Sequence, residues 1–62
     1  MGNDVDVTIT ASRHPLRVEV WEKDPITSRD TRLVSLELDK GETIIERTWP
    51  GRYLIVKPSG HN

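Results

Sequence analysis

Sixty-two residues make one domain, spanning 1–62, and bury only about 60% of the surface that the unfolded chain exposes, so the core is thin. Cysteine is absent, which excludes disulfides and thiolate zinc sites, and two histidines, His14 and His61, are too few for a structural metal centre. Nine Lys and Arg against ten Asp and Glu leave a formal net charge of -1, which excludes a general binder of phosphate backbones.

After a loose end at Met1 to Asn3, Asp4 to Thr10 alternates polar and apolar residues. That period of two predicts a half-buried strand with Val5, Val7 and Ile9 on one face. Pro15 breaks the pattern within an Ala11 to Pro15 connection. Leu16 to Glu22 resumes it, with Leu16, Val18 and Val20 on one face and Arg17, Glu19 and Trp21 on the other. Apolar spacings of three and four are missing there, which argues against a helix. Lys23 to Asp30 is a polar loop opened by Asp24-Pro25, with Ile26 as a plug.

Thr31 to Leu38 predicts a third strand, with Val34, Leu36 and Leu38 on one face and Leu33, Ser35 and Glu37 on the other. Asp39-Lys40-Gly41 is a tight reversal into a fourth strand, Glu42 to Trp49, and the pattern predicts a hairpin. Periodicity does not decide which of Ile44 and Ile45 faces inward. Trp49-Pro50-Gly51 is a second corner, predicting another hairpin into a fifth strand, Tyr53 to Lys57. Leu54, Ile55 and Val56 in succession leave both of its faces apolar, which suits a covered central strand or one that another chain covers. Pro58 to Asn62 ends the strand.

The succession Gly41-Glu42, a short strand, then Pro50-Gly51-Arg52-Tyr53-Leu54-Ile55-Val56 resembles the closing hairpin of small immunoglobulin-like and transthyretin-like β-sandwich modules. The resemblance implies that Gly51-Arg52-Tyr53 is a corner whose tyrosine packs at the core edge and bonds nearby backbone through its hydroxyl. It would place Tyr53 and Ile55 inside and turn Leu54 and Val56 outward. The chain departs from antibody domains in lacking a cysteine pair. The expected fold is a small all-β, antiparallel, sandwich-like domain of five strands, the alternative being a partly open small barrel. Short modules with such endings are similar to accessory proteins of phage particles, which implies a virion-associated location, while the lack of cysteine fits a soluble, cytoplasmic one. No apolar run is long enough to span a bilayer.

Neither histidine sits on a predicted rigid element, there is no Gly-rich phosphate loop, and no metal-ligand cluster is closely spaced. No catalytic residue, metal or cofactor is therefore expected, and the chain reads as a non-enzyme. Two surfaces remain. Trp21, Leu33, Leu54 and Val56 face away from the first apolar layer, which points to protein binding: self-association as a homo-oligomer, or docking on a larger assembly. Arg47, Trp49, Arg52, Tyr53 and Lys57 gather around the second corner as a basic and aromatic patch. In a single-stranded nucleic-acid binder these would stack bases and pair phosphates. A cation-π pair with Arg47 or Arg52 over Trp49 accounts for them as structure.

Overall fold

A computed structural model describes residues 3–59. The expected ends at Met1 and Gly2 and at Gly60, His61 and Asn62 lie outside the described residues. Five strands follow in order: β1 (Val5–Thr10), β2 (Leu16–Lys23), β3 (Asp30–Leu38), β4 (Thr43–Thr48) and β5 (Arg52–Pro58). They form two antiparallel sheets that do not close into a barrel, β1-β4 and β3-β2-β5. Among the described residues there is no helix, and hence none long and apolar enough to cross a membrane.

Neither expected hairpin forms, and among the described residues the one pair of consecutive strands that is bonded is β2 and β3. The reversal at Asp39–Gly41 and the corner at Trp49–Gly51 each carry the chain from one sheet to the other, because β4 pairs with β1 while β3 and β5 pair with β2. Gly41 N–H donates to Ala11 O and Ala11 N–H to Glu42 O, so the first reversal is bonded to the end of β1 and not into a β3-β4 ladder. Both glycines stand at φ +94°, a conformation that L side chains rarely adopt.

The alternation of β2 drives the core. Val18 and Val20 are fully buried, and Ile9, Ala11, Val18 and Leu38 form the central cluster against which Val7, Leu16, Leu36, Ile44 and Leu54 pack. Ile44 is the inward isoleucine of its pair, and Ile45 is exposed. In β3 a bulge inserts Leu33, so that Val20 lies opposite Val34 but Trp21 lies opposite Arg32.

Two strands cover three only along a diagonal. Leu36 and Leu38, beside Ile44, mark the covered corner on the β3 side, and Leu54 and Arg52 mark the opposite one on the β5 side. The other two corners lie open: Val34 is 41% exposed and Val56 is 46% exposed although each neighbours a fully buried valine on β2.

Val18→Ala is predicted to lower stability by about 1.5–3 kcal/mol in urea unfolding, whereas Ile45→Ala changes it by under about 0.5 kcal/mol. Gly51→Ala meets no closer atom than Lys23 O at 3.6 Å, so its expected loss of about 1–3 kcal/mol comes from backbone strain and not from collision. An unchanged urea midpoint for Gly51→Ala would overturn that assignment.

Candidate functional site

The outer face of the three-stranded sheet carries a built polar cluster centred on Glu19. Residues 19 and 21 share this face by strand alternation, and Trp21 lies opposite Tyr53 on β5. Trp21 Nε1–H donates to Glu19 Oε1 at 3.0 Å, while Arg32 Nη1 and Lys57 Nζ each stand 3.7 Å from Oε2. Glu19 is thereby 4% exposed on what is nominally a solvent face. Its carboxyl is held below the ordinary glutamate range, chiefly by the indole hydrogen bond, with burial opposing and Lys57, Arg32 and Arg17 assisting. The Trp21 and Tyr53 rings stack at 6.5 Å between centroids and 14° between planes. Burial, then Asp30, pushes the Tyr53 phenol up.

A second constellation joins the sheets. Arg52, on the inward face of β5, reaches Glu46 of β4 at 3.3 Å, and both side chains are largely buried. Its guanidinium carbon lies 4.4 Å from the Trp49 ring centroid, a cation-π contact that roofs the ion pair. Arg52 Nε is buried without a hydrogen-bond partner.

The five residues of the predicted basic and aromatic patch are thus divided among three places. Arg52 and Trp49 meet between the sheets. Tyr53 and Lys57 belong to the outer face around Glu19. Arg47 lies on β4 and donates from Nε to Asp6 Oδ1 at 3.0 Å, which raises its pKa further, with Asp4 adding to the effect.

The predicted partner-binding residues divide as well. Leu54 is turned inward and packs on the core, and Tyr53 and Ile55 face out, the reverse of the arrangement implied by the Gly51-Arg52-Tyr53 resemblance. The reason is phase: the β2–β5 register sets Leu54 opposite buried Val20 and Ile55 opposite Glu19. Val56 shares the inward face yet lies at an open corner, while Leu33 occupies the bulge and is exposed. Trp21 is half-buried over Glu19. The role of Glu19 escapes the strand pattern, although a carboxylate two residues before a tryptophan on one strand face is the signal that reveals it. His14, exposed in the β1–β2 connection, places Nδ1 3.1 Å from Pro15 O.

No protein-family model, curated protein or solved structure matches the chain.

Because the folded pKa of Glu19 lies below its unfolded value, the stability it contributes is complete above the unfolded value and is lost as pH falls through the folded one. Glu19→Gln is predicted to flatten that acid-side loss in urea midpoints followed by circular dichroism. Acid limbs of equal steepness in the two proteins would remove Glu19 from this role. Trp49→Leu keeps an apolar cover but removes the π face, and is expected to cost about 0.5–1 kcal/mol in the same measurement.

Proposed function

We propose that the chain is a non-enzymatic protein-interaction module that self-associates or docks on a larger assembly. The observation that carries this reading is the open corner at Val56, where a valine neighbouring the core meets solvent beside Ile55, itself 36% exposed on the other face of the same strand. A strand with apolar side chains accessible on both faces and a free edge is suited to burial against another chain.

The pairing pattern supports the immunoglobulin-like form of the reading. In such sandwiches strand B pairs with E, and C lies between C′ and F. The pairs β1-β4 and β3-β2-β5 correspond to B-E and C′-C-F in that scheme. Trp21 on the outer face and the outward Tyr53 depart from it. A soluble cytoplasmic or virion-associated setting accords with the proposal.

Single-stranded nucleic-acid binding through Arg47, Trp49 and Arg52 has less support, since Asp6 and Glu46 already engage the two arginines. Light scattering coupled to size exclusion is expected to show a mass that rises above 7.1 kDa with concentration. A mass fixed at 7.1 kDa throughout would remove self-association from the reading. Binding to a short single strand that weakens steeply with salt would favour the nucleic-acid alternative.

A further inference from the structure

Resting on the interaction-module reading, we propose that the partner at the β5 edge is a second copy of this chain, paired antiparallel about a two-fold axis at Ile55. The argument starts from hydrogen-bond phase. Lys23 N–H donates to Gly51 O at 2.7 Å and Ser59 N–H to Pro15 O at 3.0 Å, and both bonds continue the β2–β5 register. Bonded pairs recur at every second residue of an antiparallel ladder. Tyr53, Ile55 and Lys57 therefore turn their N–H and C=O groups toward β2, and Leu54 and Val56 turn theirs to the outer edge of the sheet.

The ends of that edge are closed. Arg52 N–H is taken by Trp49 O at 2.9 Å, and Pro58 has no N–H to give. Leu54 and Val56 are left as the two outward N–H donors of the strand, spaced symmetrically about Ile55. An antiparallel second copy centred there sets Leu54 against the partner's Val56 and Val56 against the partner's Leu54. Four hydrogen bonds form, and every outward donor of the strand is satisfied.

Side chains agree with the register. Opposed residues fall on the same face, so Ile55 meets the partner's Ile55 outside, and the open corner at Val56 receives the partner's Leu54 inside. Tyr53 stands against the partner's Lys57. No like charges oppose each other, and the pairing is isologous and closes at two copies. The remaining edges fit less well. β3 is interrupted by its bulge at Leu33. Along β1 the outer face is Asp6, Thr8 and Thr10, and β4 offers Glu46 and Arg47, which are already ion-paired.

In the proposed pair the two Ile55 Cα atoms lie about 4.5 Å apart, within disulfide reach. Ile55→Cys introduces the chain's sole thiol, and mild oxidation is expected to convert most of it to a covalent dimer, whereas Ile45→Cys is expected to stay largely uncoupled. Val56→Pro removes two of the four intermolecular bonds and none from the β2–β5 ladder, and is expected to weaken association about tenfold or more while leaving the circular dichroism spectrum unchanged. If the Ile45→Cys variant couples in preference to the Ile55→Cys variant, or association tolerates Val56→Pro, the edge assignment is overturned and self-association is left standing. A wild-type mass fixed at 7.1 kDa overturns both.

Discussion

The diagonal packing of a two-stranded sheet on a three-stranded one decides which side chains this chain can hide. A strand pair spans roughly two-thirds of the width of a three-stranded sheet at equal strand spacing. β4 must begin on the β3 side, where the chain leaves Leu38, and finish on the β5 side, where it enters Arg52. Cover therefore falls from Leu36 and Leu38 across Val18 and Val20 to Leu54. The same path brings Glu46 to Arg52, and the turn that follows lays Trp49 over their ion pair.

The opposite face of the three-stranded sheet solves a different problem. It has no covering sheet, yet Trp21, Tyr53 and Ile55 all project from it. A carboxylate set among them accepts an indole N–H and stands 3.7 Å from each of two cations, Arg32 and Lys57. Trp21 and Tyr53, stacked on each other beside this cluster, are thereby half-buried without a second sheet. The apolar side chains that neither the second sheet nor this cluster covers lie at the two open corners, Val34 on β3 and Val56 on β5.

Strand content was legible because period-two alternation is local. All five strands, the inward set Val18, Val20, Leu36 and Leu38, and the polar loop before β3 follow from it. Pairing was not legible, since a tight turn between two strands reads alike whether it joins neighbours in one sheet or crosses between sheets. That ambiguity accounts for both misplaced hairpins. Three apolar residues in a row, Leu54-Ile55-Val56, carry no phase of their own, so only the register against β2 assigns Leu54 to the interior. The basic and aromatic residues near Trp49 are close in sequence but divided by strand alternation and by the sheet crossing. Nearness along the chain was a poor guide to a shared surface.

The loop between β2 and β3 is bonded almost entirely to itself. Asp24 Oδ1 accepts from Ile26 N–H at 2.8 Å and Thr27 N–H at 3.2 Å, and Asp24 N–H donates to Arg29 O at 2.8 Å. Lys23 and Asp30 clamp its base at 3.2 Å, and Ile26 projects 90% exposed at its tip. A knuckle closed in this way transmits little to the ladder beneath it. Guest sequence spliced at Ile26 would stand at the end of the three-stranded ladder, held at its base by the Lys23–Asp30 pair, which makes this small protein a natural carrier for an epitope or a fluorescent reporter.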